Sequence, residues 1–196
     1  MRIRSLLFIP ALAAAALAIG ASGASAATLF TTTAHTTRVT VGATATATST
    51  TPIVLTSGAT KINTCTHSTL HLVLVQNNDV EVVGNVVAGS FTPCLNPVTG
   101  NFTTPWGLTV SGTGTMDGAF TRWNARVNNV SFNLLGGTYT GNLTTGITVT
   151  QPTVATSPLC LHAANAGFVT GPLTGDGRID GTYCFSGTAA SFSLTN

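Results

Sequence analysis

The sequence predicts an all-β protein, an antiparallel β-sandwich or barrel-like fold held by two disulfides. Three observations carry this. Apolar and polar residues alternate with a period of two through most of the chain; Gly, Asn and Pro break the alternation at short intervals; and four cysteines stand in a chain of which only 6% is charged. A helix needs apolar residues three and four apart, and beyond the first twenty-six residues no stretch keeps that period for more than about a turn. Residues 161–166 are the one weak helical candidate.

Residues 1–26 read as a secretory signal peptide. Arg2 and Arg4 give a basic start, residues 6–19 are an almost unbroken apolar run, and Ala24-Ser25-Ala26 has the small residues of a signal-peptidase site, with the cut before Ala27. The run is too short and too poorly flanked for a spanning helix, and no other stretch reaches the roughly 18 apolar residues such a helix needs. The expected location is secreted, extracellular or cell-surface, without a transmembrane segment in the mature chain.

Residues 27–51 are dominated by Thr and Ala, with Arg38-Val39-Thr40-Val41 as the clear alternation, and read as an N-terminal strand or an extended tether. Residues 52–196 read as one β domain. Strands are expected at 53–55, 70–75 and 80–87, with Leu70, Leu72 and Leu74 on one face and His71, Val73 and Val75 on the other. Trp106, Leu108 and Val110 repeat the device, as do Val130, Phe132 and Leu134. Leu143, Thr145, Ile147 and Val149 read as a further strand.

Removal of the leader changes the charge. Arg38, Lys61, Arg122, Arg126 and Arg178 then balance Asp79, Glu81, Asp117, Asp176 and Asp180, so the mature chain is neutral. Nucleic-acid binding needs clustered cations against phosphate, and five scattered ones exclude it. Disorder goes with low hydrophobicity and high net charge, whereas 43% of this chain is hydrophobic.

Cys65, Cys94, Cys160 and Cys184 are an even set in an exported chain and read as two disulfides. Of the three connectivities, Cys65 with Cys94 and Cys160 with Cys184 is favoured, because each pair brackets one block of alternating strands. Each closed loop is worth about 3 to 4 kcal/mol in the chain-entropy account. No C-x-x-C spacing supports zinc or redox chemistry.

The chain echoes itself. Gly112-Thr113-Gly114-Thr115-Met116-Asp117-Gly118-Ala119-Phe120 matches Gly175-Asp176-Gly177-Arg178-Ile179-Asp180-Gly181-Thr182-Tyr183 in the pattern G-x-G-x-apolar-D-G-small-aromatic. Unequal spacing argues against a solenoid, and the echo is expected to mark equivalent strands, with each Asp-Gly in a turn.

Candidate sites are few. Residues 176–181 resemble the middle of an EF-hand or dockerin calcium loop, but the first and third ligand positions fall on Pro172 and Thr174 and the twelfth on Tyr183, so no metal is expected. His67 and His71, four apart on a strand, are about 13 Å from each other. There is no G-x-S-x-G elbow. Asp117 and Asp180 are the only carboxylates the echo could bring together for glycoside hydrolysis. Trp106 and Trp123 could stack on a ligand if exposed, but core packing is the commoner fate of Trp. No catalytic residue, cofactor or glycan is assigned, although Asn101, Asn129 and Asn142 lie in N-x-S/T patterns.

With its Cys-bounded blocks and the strand Pro105-Trp106-Gly107-Leu108-Thr109-Val110, the chain resembles small exported proteins of unknown function from high-GC Gram-positive bacteria. More distantly, from residue 52 onward, it is similar to the secreted family known as protein activator of alkane oxidation. That resemblance implies a secreted or surface-associated β-protein and supplies no catalytic residues. The expected function is non-enzymatic: a structural, adhesive or matrix and envelope role, with self-association through strand edges. The alternative is a soluble extracellular binding module for a glycan or an apolar small molecule, and the third reading is an extracellular hydrolase.

Overall fold

The computed structural model describes residues 27–31, 35–153, 158–168, 176–187 and 193–195; the leader and the Pro172 and Thr174 positions lie outside them. In chain order the strands are β1 (Thr28–Phe30), β2 (Thr44–Ser49), β3 (Ile53–Ser57), β4 (Thr60–Cys65), β5 (Ser68–Asn77), β6 (Glu81–Phe91) and β7 (Val98–Gly100). They continue as β8 (Trp106–Asp117), β9 (Phe120–Leu134), β10 (Gly137–Leu143), β11 (Ile147–Pro152), β12 (Cys160–Gly167), β13 (Gly177–Gly187) and β14 (Ser193–Thr195). All pairings are antiparallel, and the fold is all-β with both expected disulfides, Cys65 to Cys94 and Cys160 to Cys184.

Eight strands close on themselves in the order β12, β11, β9, β8, β6, β5, β2, β13, with β13 pairing back to β12. The result is a barrel. An eight-stranded barrel has an interior wide enough for side chains or one small ligand. Period-two alternation sends Leu70, Leu72 and Leu74 inward with Trp106, Leu108 and Val110, and with Trp123, Ala125 and Val127, all buried. Each fully buried Leu or Val contributes about 1.5 to 3 kcal/mol relative to exposure.

Two staves overrun the barrel and build flaps above one end. β13 pairs with β2 through residues 183–187 but with β3 through 177–180, so β3 and its hairpin partner β4 rise beyond the wall. β9 behaves alike: residues 107–117 of β8 pair with 120–128, whereas residues 130–134 pair with β10 and 132–134 also with β7. The bend in β9 falls at Asn129, whose φ is 58° and whose N–H donates to Asn142 Oδ1 at 2.8 Å. At the opposite end, the base, β1 pairs with β14 and seats Leu29 and Leu194 against the lumen.

Several expectations are corrected by this arrangement. Residues 161–166 are strand, not helix, paired with β11 and β13 on either side. The run from Leu143 to Val149 is two strands, because the chain bends at residues 145–146 and Gly146 takes φ 71°. The strand in residues 44–49 comes from the Thr/Ala stretch, while Arg38 meets Phe30 through an isolated bridge. The echo does not mark equivalent elements. Asp117-Gly118 opens the tight β8–β9 turn, with Gly118 at φ 61°, whereas Asp180-Gly181 lies inside β13 beside an irregularity in its pairing with β12.

Candidate functional site

The barrel lumen holds two apolar cavities among the described residues. The larger, about 110 Å³, lies at the flap end. Its wall comes from barrel strands, with Leu72, Trp106 and Leu161 among the lining, and its roof from the flaps: Ile53 and Leu55 of β3 on one side, Val130 and Phe132 of β9 on the other. The smaller, about 70 Å³, lies toward the base under Leu29 and Leu194. An apolar cavity of 150 Å³ in another protein stays dry and takes up benzene, so the larger space is of the order that admits a small hydrocarbon.

The roof is tied down. Cys65 of β4 is bonded to Cys94 in the connection from β6 to β7. Around it Leu95 N–H donates to Thr64 O at 2.9 Å and Thr66 N–H to Pro93 O at 2.8 Å, so the outer edge of β4 is covered. Buried Asn63 donates through Nδ2 to Asn96 O at 3.0 Å and accepts from Asn96 N–H at 2.9 Å. Its amide is thus engaged with backbone, although the residue borders the cavity.

The polar groups of the lining are used internally as well. Tyr183 donates to Ser68 Oγ at 2.8 Å, and Ser68 N–H donates to Ser49 Oγ at 2.8 Å. Burial pushes the Tyr183 phenol well above its ordinary pKa, the bond to Ser68 only partly opposing it. The Trp106 indole N–H donates to Asn101 O at 2.9 Å, and its ring packs on Phe102 at 4.7 Å between centroids. What remains facing the space is carbon. Such a lining offers dispersion and desolvation, and it penalises any ligand group that needs a hydrogen bond.

The residues singled out from sequence separate accordingly. The four cysteines are the two staples. Trp106, 6% exposed, lines the larger cavity, whereas Trp123, 2% exposed, packs inside the barrel against Gly114. Neither presents an open ring face for a sugar. Asp117 pairs with Arg122 at the base, and Asp180 accepts from Asn165 N–H at 2.6 Å at the flap end. The carboxylates therefore stand at opposite ends of the wall. Among the described residues, no three His, Cys, Asp or Glu side chains converge as metal ligands, and no helix is long and apolar enough to cross a membrane. Sequence reading missed the cavity itself, which is made of absent volume. Its one local signal is Gly84, an inward position without a side chain.

Comparison with protein-family models, with curated proteins and with solved structures returns no match for this chain. The class that fold and site define is a closed, disulfide-stapled antiparallel barrel with an apolar lumen.

Proposed function

We propose that this is an exported, non-enzymatic carrier or binding protein that takes a small uncharged apolar molecule into the flap-end cavity. One observation carries the reading: a cavity of about 110 Å³, lined by apolar side chains, whose neighbouring polar groups already bond to one another. The basic-apolar leader with its A-S-A site and the two disulfides support an extracellular setting. Closure of the ring, which leaves the eight wall strands no free edge, weakens the case for assembly through strand edges.

The test is a panel of small uncharged hydrocarbons, benzene among them, followed by Trp106 fluorescence and by melting temperature. Binding to the native state raises the melting temperature with ligand concentration. Ala47→Leu, which places three more carbons in the lumen, should abolish the shift; Val86→Leu serves if the first variant does not fold. A flat melting temperature across the whole panel would refute the reading.

A further inference from the structure

The two cavities share a boundary. Leu72, Leu108 and Phe185 line both, so the flap-end and base spaces are separated by three side chains rather than by backbone. Phe185 is half-buried, and its ring is the largest of the three. Rotamer changes of such side chains need no break in any strand ladder.

Gly84 gives the second, independent observation. It sits on β6 between inward Val82 and Val86, in a barrel stave where every second residue fills the lumen. A Cβ at this position would find nothing nearer than Leu72 Cδ2 and Val73 O, both at 3.8 Å, which is ordinary contact. Its φ is not in the left-handed region either. Gly84 pairs with Leu74 beside an irregularity in the β5–β6 ladder, but sterics do not demand glycine there, and glycine inside a strand weakens the sheet. The space it leaves belongs to the base cavity. A strand glycine marks a ladder irregularity or a place where something else comes close, and here the volume it leaves open lies in the lumen.

We infer that the two cavities are halves of one channel, widened on its base side by Gly84 and gated at its waist by Phe185, and that the ligand is an elongated, flexible apolar chain rather than a compact ring. The inference rests on the reading of the flap-end cavity given above and deepens it. Such a ligand lies with one part in the flap-end cavity, passes between Leu72, Leu108 and Phe185, and ends beneath Leu29 and Leu194. It carries no charge into the lumen, since among the described residues no charged side chain lines either cavity.

Titration calorimetry with benzene and with straight-chain primary alcohols from butanol to decanol tests this on the mature protein. In the wild type, affinity should climb roughly fourfold per added methylene, the factor corresponding to burial of one CH₂, beyond the length that fills the flap-end cavity. Gly84→Val should stop the climb at that length while leaving benzene and the shortest alcohols unaffected, and Gly84→Ala should raise the melting temperature. If Gly84→Val does not fold, Ala45→Val fills the same cavity. A wild-type plateau at the length where the variant also stops, with benzene still bound, overturns the channel and leaves the flap-end site standing. Absence of binding by every probe overturns both.

Discussion

The hydroxyl of Tyr183 on β13 reaches past β2 to Ser68 on β5, where it donates a 2.8 Å hydrogen bond inside the barrel. Three adjacent staves are thereby joined through side chains as well as through their ladders. The phenol is held neutral by burial, its pKa raised above the ordinary 10.0. A group whose folded pKa is raised stabilises fully below its unfolded pKa and loses that contribution above it. Stability should therefore be insensitive to Tyr183 up to about pH 10 and fall beyond it, as the unfolded chain ionises and the folded one does not. Tyr183→Phe should cost about 1 kcal/mol at neutral pH and flatten the alkaline limb in denaturant titrations followed against pH.

His162 on β12 gives the opposite slope. Its Nε2 lies 2.7 Å from Thr150 Oγ1 and its Nδ1 3.1 Å from Thr182 Oγ1. Burial, and then the Arg122 charge, lower its pKa below 6.5. The neutral form is favoured by folding, so its contribution is complete above about pH 6.5 and declines as the pH falls through that value toward the lower folded pKa. In urea melts between pH 7 and 5 the wild type should lose stability relative to His162→Gln; parallel curves would remove His162 from the account.

Gly114 packs where a side chain has no room. A Cβ there would lie 2.6 Å from Trp123 Cε2 and 2.7 Å from Thr121 Cγ2. Gly114→Ala should destabilise by about 1 to 3 kcal/mol through overpacking. Trp123→Ala, by emptying the same site, should cost about 3 to 5 kcal/mol. A fully stable Trp123→Ala protein would contradict the buried, inward position of this ring.

The β9–β10 hairpin turns through Leu135 and Gly136, at φ 53° and 77°. Two positive φ values in a two-residue loop call for Asn-Gly, yet the first position is a leucine that is 66% exposed. Leu135→Asn should stabilise the protein by about 1 kcal/mol, the order of the left-handed penalty it relieves, as read by a higher urea midpoint with an unchanged slope.

The paired removal of Cys65 and Cys94 as alanines should cost about 3.5 kcal/mol, on the chain-entropy scale for a 29-residue separation. It also frees the connection between β6 and β7 from β4. Hydrogen exchange should therefore rise first at Thr66 and Leu95, whose N–H groups make the backbone bonds that flank the bridge.

The faces of the strands were legible because one side chain in two must be apolar wherever a wall separates a core from water. Leu70, Leu72 and Leu74 state this openly. Strand β2 was harder, since Thr44-Ala45-Thr46-Ala47 alternates only weakly in hydropathy and its place between β5 and β13 rests on partners far along the chain. Asp180-Gly181 misled because the same dipeptide serves a turn after β8 and a strand irregularity in β13. The cavity was hidden for a different reason. Volume is set by which inward side chains face one another across the barrel, and ring closure brings β12 to β13 and β13 to β2 in ways no local window contains.

The β2–β13 ladder, which joins residues 45–49 to 183–187, also sets the order in which the chain can assemble. Contacts of such sequence separation form late and slow folding. Until β13 arrives, β2 presents an open edge to every other unfolded copy, the situation in which apolar strands aggregate. A strand of alternating threonine and alanine carries little apolar surface to such an encounter. Its plain composition suits a segment that must wait, solvated and unpaired on one side, for a partner made more than a hundred residues later.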